Sequence, residues 1–188
     1  MVNEEIKSLA QSADASTRAA AMETIGSAKG LNAEREELLL NGMRDHVPEV
    51  RFAALNGAIS LKAYSWQVYD EATRVAADGN QSEEMQKTAA TLVKDIDARM
   101  ERNVLKLSKV PSKSVKICIL DDLAYGGWEP ATDAIRKQAE SSEPRVRAVA
   151  ERALDAIEEI GAQRARTTKA ASLMTSGLSP VELNPKAT

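Results

Sequence analysis

Apolar residues return at helical spacing along most of the chain, interrupted by short polar stretches. Ile6, Leu9 and Ala10 share one face of a short helix predicted over residues 3–11. The run Ser12-Ala13-Asp14-Ala15-Ser16 supplies N-cap candidates for the next helix, in which Thr17, Ala21 and Ile25 form a stripe. Gly26 and Gly30 punctuate its end. Residues 31–44 form a further amphipathic segment around Leu38, Leu39, Leu40 and Met43. Asp45-His46-Val47-Pro48 then reads as a capped turn. Asp45 offers a carboxylate to free amides, and Pro48 suits a first helical turn, where its missing N–H costs nothing. From there Val50, Ala54, Gly57, Ala58 and Leu61 fall on one face. A helix over residues 65–77 is expected to bury Trp66, Tyr69, Ala72, Val75 and Ala76, and a long one over residues 82–100 follows Asp78-Gly79-Asn80.

Shifting the sequence against itself reveals a repeat. With Val50 as anchor, the matching positions are Thr17, Met85, Val115 and Val146, at steps of 33, 35, 30 and 31 residues. Four residues after each anchor stand Ala21, Ala54, Ala89, Ile119 and Ala150; eight after stand Ile25, Ala58, Val93, Leu123 and Leu154. The residue directly after the anchor is basic at Arg18, Arg51, Lys116 and Arg147, with Gln86 the exception. Apolar periodicity occurs in any helical bundle. The recurrent basic residue, the small residue four positions on and the even spacing together point to stacked units, each unable to bury its own apolar face.

Two segments, residues 45–61 and 141–157, resemble the second helix of HEAT repeats, in particular the short HEAT-like repeats of phycobilisome lyase subunits. The shared pattern is a polar turn, Pro, Val-Arg, then Ala with a larger apolar residue, seen in Pro48-Glu49-Val50-Arg51-Phe52-Ala53-Ala54 and Pro144-Arg145-Val146-Arg147-Ala148-Val149-Ala150. Thr17-Arg18 and Val115-Lys116 follow it loosely, and Met85-Gln86 departs most. The resemblance covers roughly residues 3–160. It implies an all-α, right-handed α-solenoid of about five HEAT-like hairpins over residues 1–161, with a C-terminal tail at 162–188. It also implies that a turn Asp and a helix Arg tie one unit to the next, a structural role expected for Arg51 and Arg147.

Composition agrees with helices. Apolar residues make up 43% of the chain but aromatics only 3%, so the core is built from Ala, Leu, Val and Ile rather than the aromatic and β-branched side chains a sandwich uses. The net charge of −3 gives no general excess of base for coating nucleic acid. The single cysteine, Cys118, permits no internal disulfide, and the acidic start Met1-Val2-Asn3-Glu4-Glu5 lacks a signal-peptide pattern. No apolar run is long enough to span a bilayer. The expectation is a cytoplasmic protein.

Candidate chemistry is sparse. The one histidine, His46, sits in a capping turn, and nothing shows the clustered His, Cys and carboxylate spacing of a metal centre. No Gly-x-Ser-x-Gly elbow and no phosphate-binding Gly-rich loop occurs. Cys118, in the apolar run Val115-Lys116-Ile117-Cys118-Ile119-Leu120, reads as an inert packing thiol. Adjacent acids such as Asp121-Asp122 and Glu158-Glu159 diverge on a helix and do not form an acid–base pair. No catalytic residue, cofactor or metal is therefore expected.

What stands out suits recognition. Phe52, the only Phe, lies opposite the core stripe of its helix with Leu55, Asn56 and Ile59; Ile117 and Leu120 hold the equivalent side of the fourth unit. Such a face either packs against the neighbouring unit of the stack or forms a partner groove, since exposed apolar groups mark recognition. Asp121 places negative charge near a helix C-terminus, where the dipole disfavours it, and so suits a basic partner. Trp128, in Tyr125-Gly126-Gly127-Trp128-Glu129-Pro130, reads as a staple packing back over a turn while Pro130 starts the next helix; with Tyr64, Trp66 and Tyr69 it accounts for most of the aromatic surface available to a hot spot. After Gly161 the repeat pattern breaks. A helix over residues 163–174 and the turn formers Ser176-Gly177, Pro180 and Pro185 follow, and Arg164, Arg166, Lys169 and Lys186 against Glu182 make this tail +3 on a −6 body. The tail reads as a disordered terminus, a lid over the last repeat or a docking motif. The expected partner is a protein, within a larger complex, bound through the concave second-helix face at Phe52, Asn56, Ile59 and Asp121, with Trp128 in its turn, and through the tail at Arg164 and Arg166. Two other readings of the same resemblance are a cofactor-handling chromophore lyase subunit and a DNA-binding alkylpurine glycosylase; Glu23, Asp95, Asp121 and Asp155 on the second helices argue against the latter.

Overall fold

The computed structural model describes residues 2–175, and within them the protein is all-α, with no strand among the described residues. The helices are α1 (Glu4–Ala10), α2 (Ala15–Gly26), α3 (Ala33–Met43), α4 (Pro48–Leu61), α5 (Trp66–Ala77), α6 (Glu83–Leu107), α7 (Lys113–Tyr125), α8 (Thr132–Ala139) and α9 (Pro144–Thr175). A 3-10 turn, Glu129–Ala131, leads directly into α8. No helix among the described residues is long and apolar enough to cross a membrane.

Capping follows the sequence closely. The side chains of Asn3, Asp14, Asn32 and Ser65 accept amides at the starts of α1, α2, α3 and α5. At α4, Pro48 takes the first position, but no side chain caps the helix itself. Asp45 accepts the Val47 amide at 2.9 Å, within the preceding turn.

The chain divides into two compact units, Met1–Leu105 and Lys106–Thr188, and α6 passes from the first into the second. In unit 1, α1 packs on α2 and α3 on α4, while α2 lies along α4 and α3 touches both α1 and α5. Val50, Ala53, Ala54, Leu55, Gly57 and Ala58 of α4 are all buried. At about 100° per residue these cover more than half the helix circumference, because α4 is flanked by both α2 and α3. Leu55, expected on the partner-facing side with Phe52, is therefore a core residue with no exposure.

Glycine sets the spacing in this unit. A Cβ on Gly26 would stand 2.5 Å from the Gly57 Cα, and one on Gly57 would stand 2.7 Å from Leu39 Cδ2. A Cβ on Gly42 would meet Met22 Sδ at 2.6 Å. The backbones of α2 and α4 touch at Gly26 and Gly57, and no other residue type fits that contact.

In unit 2, α9 packs on both α7 and α8. The buried side of α7 is Ile119, Leu120 and Leu123. Val115 is 44% exposed and Cys118 is exposed, against the expectation that both face or border the core. Leu120, expected on the partner-facing side, is buried. The stripe is turned towards Lys116, which is half-buried and donates to Gln138 of α8 at 3.2 Å. Val115 and Cys118 lie outside the Ile119, Leu120 and Leu123 side.

Gly127 adopts φ +54°, which lets the chain reverse after α7, and Pro130 lies inside the 3-10 turn. α9 does not end at Gly161, where the repeat pattern breaks. It is continuous to Thr175, so positions 161 and 162 fall within one helix and the basic stretch after them is its extension. Ser176, Gly177, Pro180, Glu182, Pro185 and Lys186 lie outside the described residues.

Candidate functional site

In unit 1 the residue after the repeat anchor binds the turn before its own helix in all three repeats, and reaches the next turn in two of them. Arg18 grips Asp45, at the turn before α4, with Nε donating to Oδ2 at 2.7 Å and Nη2 to Oδ1 at 2.9 Å. Its Nη1 donates back to the carbonyls of Ser12 and Ala13, in the turn before its own helix. Arg51 repeats this one hairpin later. Nη1 donates to the Asp45 carbonyl at 2.8 Å and Nη2 to Gln81 Oε1 at 2.7 Å, at the turn before α6. Gln86, the departure from the basic pattern, still donates to the carbonyls of Asp78 and Gln81. In unit 2, Arg147 reaches back only to the Ser141 carbonyl, at 3.4 Å, and remains exposed.

These turns carry the perturbed acids. Arg18 holds the Asp45 carboxyl below the usual carboxylate range. Hydrogen bonds from the Ser16 and Thr17 hydroxyls bring Asp14 down to about 2, and the Gln81 amide lowers Asp78. The buried carboxylate of Glu71 in α5 accepts from Arg44 Nε at 3.1 Å and Arg74 Nε at 3.0 Å, joining α3 to α5. Sequence reasoning passed over Glu71, although it lies on the same helical face as Val68, Ala72 and Val75. A carboxylate in an apolar stripe with Arg at i+3 is a readable signal for a buried ion pair.

The predicted recognition residues fall in both units. In unit 1, Asn56 of α4 is exposed, while Phe52 and Ile59 are half-buried at the margin of its packed side. Glu49 and Ser60 share the exposed side with Asn56, and Glu23 of α2 is likewise exposed, so this face is polar and mildly acidic. Tyr64, Trp66 and Tyr69 are half-buried, and the Arg99 guanidinium stands 5.3 Å from the Tyr64 ring centroid. Burial pushes the Tyr64 phenol up.

In unit 2, Asp121 is exposed on α7, Trp128 is half-buried and Arg166 is exposed on α9. Arg164 Nη1 donates to the carbonyl of Gly127, the residue before Trp128, at 2.8 Å. An open groove of about 780 Å³ lies between α9 and the segment leading through the 3-10 turn into α8. Leu154, Ile157, Gly161 and Ala162 line it along α9, with Glu129 and Arg136 opposite and Glu158 beside them. A groove with an apolar floor and charges of both signs suits a polypeptide better than a small ligand. None of its lining residues stood out in the sequence, because they are single positions on two helices that the fold brings together. No protein-family model matches the chain, and no curated protein matches it.

Proposed function

We propose that the chain is a non-catalytic HEAT-type α-solenoid of about five helical hairpins, acting as an adaptor or accessory subunit that binds another protein through the exposed face of its second helices. The observation that carries this reading is the recurring bond from one hairpin to the next: Arg18 to Asp45, then Arg51 to Gln81, from the same repeat position. Helices held in register by such bonds present their free faces side by side, as a repeat scaffold requires. Glu23, Asp95, Asp121 and Asp155 are all exposed, so phosphate groups would meet carboxylates on the second helices of both units; that favours a protein partner over nucleic acid.

A photo-crosslinking residue at Asn56 of α4, compared with one at Thr73 on the exposed side of α5, tests the reading in extract from the source organism. The expected result is one protein captured from position 56 and not from 73, with capture weakened by Phe52→Glu at unchanged helicity. Equal labelling from both positions, or none from either, overturns it. Loss of helicity in Phe52→Glu reassigns that side chain to the core.

A further inference from the structure

We propose that α9 is a self-docking helix: two copies of the chain pair through it in antiparallel fashion, the acidic first half of one lying along the basic second half of the other, with the two-fold axis near Ala162. At the helical repeat, Glu151, Asp155, Glu158, Ala162, Arg166 and Lys169 fall within one stripe of α9, and all six are exposed. Between residues 151 and 169 the signs are sorted along it, three acids before Ala162 and two bases after it; Arg147, one turn earlier and also exposed, lies beyond the stretch that overlaps in the pairing. An antiparallel two-fold pairing is the arrangement that sets each acidic half against a basic half twice over, since an isologous contact repeats every interaction. A parallel pairing would oppose like charges.

Three further features of the same helix agree. Residues 165–172 are exposed all round, which is unusual for a helix end this long, since a stretch with no packed face has little tertiary support in water. Arg166 and Lys169 have no acid one turn away in either direction: residues 162, 163, 165, 170, 172 and 173 are Ala, Gln, Ala, Ala, Ser and Leu. Their charge is not offset within the helix. At the proposed axis the residues are small, Gly161, Ala162 and Ala165, so a second helix can approach closely, and the groove of about 780 Å³ lies along the same stretch with Leu154 and Ile157 in its lining. Charge complementarity chooses the occupant: a stripe that is acidic then basic matches its own reversed copy. This pairing does not depend on the adaptor reading, because it uses α9 of unit 2 and leaves the α4 face of unit 1 untouched.

Sedimentation equilibrium of the full chain over a concentration series tests it, with two charge-reversed variants. The expected wild-type result is reversible association to twice the 20.3 kDa chain mass, weakened in 0.5 M salt. Arg166→Glu with Lys169→Glu makes the stripe acidic throughout; Glu151→Lys with Asp155→Lys and Glu158→Lys makes it basic throughout. Each variant alone should be monomeric with wild-type helicity, and an equimolar mixture should form the heterodimer. A wild type that stays monomeric at low salt, variants that associate as well as wild type, or a mixture that remains monomeric each overturns the proposal. Should either variant lose helicity, Ala162→Cys in a Cys118→Ser chain replaces it: rapid disulfide-linked dimer supports the axis, and crosslinking no faster than for Thr167→Cys overturns it.

Discussion

The two units hold themselves together by different means. Unit 1 is locked from turn to turn. Arg18 and Arg51 each bind two turns at once, Glu71 ties α3 to α5 through two arginines, and the α2–α4 crossing is closed by glycine against glycine. Unit 2 rests on the packing of α7 and α8 against one long helix, with an ion pair from Lys113 to Glu143 and side-chain hydrogen bonds from Lys116, Arg147 and Arg164. Charge divides the same way: residues 1–105 hold 12 basic and 17 acidic side chains, net −5, while residues 106–188 hold 13 and 11, net +2. Where the arginine after the anchor reaches the next turn, as Arg18 and Arg51 do, consecutive hairpins are tied together; Gln86 and Arg147 bind only the turn before their own helices.

The largest contrast lies in two side chains whose environments reverse the sequence expectation. Leu55→Ala opens a cavity in a filled core and should cost about 2–5 kcal/mol in urea unfolding. Cys118→Ser changes an exposed side chain and should stay within about 0.5 kcal/mol, and the native Cys118 thiol should react with maleimide without denaturant. A cheap Leu55→Ala or a protected thiol would erase the contrast.

Glycine gives the next. Gly57→Ala drives a Cβ against Leu39 and the α2 backbone and should cost about 1–3 kcal/mol. Gly161→Ala meets only the mobile end of Glu129, at 3.3 Å, and should stabilise by about 0.5–1 kcal/mol through its helix propensity. Chemical denaturation of the pair reads both signs.

Arg18→Met should lower the midpoint of unit 1, since it leaves the Asp45 carboxylate half-buried without its partner, whereas Arg147→Met should change unit 2 by under about 0.5 kcal/mol. The two tryptophans separate the signals: Trp66 reports unit 1 and Trp128 unit 2.

The smallest effect is on pH. Asp14, Asp45 and Asp78 have folded-state values below their ordinary ones, so their contribution is complete above the unfolded value of 3.8 and is lost as pH falls through the folded value, about 2 for Asp14. Trp66 fluorescence in a Trp128→Phe chain should show unit 1 losing stability progressively below about pH 4. A midpoint independent of acid down to pH 2 would mean these carboxylates contribute nothing.

Much of this fold was legible in the sequence because helices, caps and repeat anchors are local features. Asp14 and Ser65 announce the starts of α2 and α5, Pro48 that of α4, and the basic residue after the anchor announces the bonds that Arg18 and Arg51 make. What was not legible depends on neighbours. Leu55 points away from the anchor stripe and is buried only because α4 has helices on two sides. Cys118 follows an apolar anchor and is exposed because α7 buries its Ile119, Leu120 and Leu123 side instead. Gly161 reads as a stop, yet a single glycine among Ala, Glu and Arg costs a helix about 1 kcal/mol and does not end it. Arg164 meets the Gly127 carbonyl, beside Trp128, through a reversal at Gly127 that no spacing encodes.

Hydrogen exchange measured by mass spectrometry tests the contrast between the units most directly. In dilute protein, the amides of α2 and α4 should be the slowest to exchange and residues 166–172 of α9 among the fastest, with the latter slowing as concentration rises and α9 pairs. Uniform protection across both units, or slow concentration-independent exchange at residues 166–172, would contradict the account.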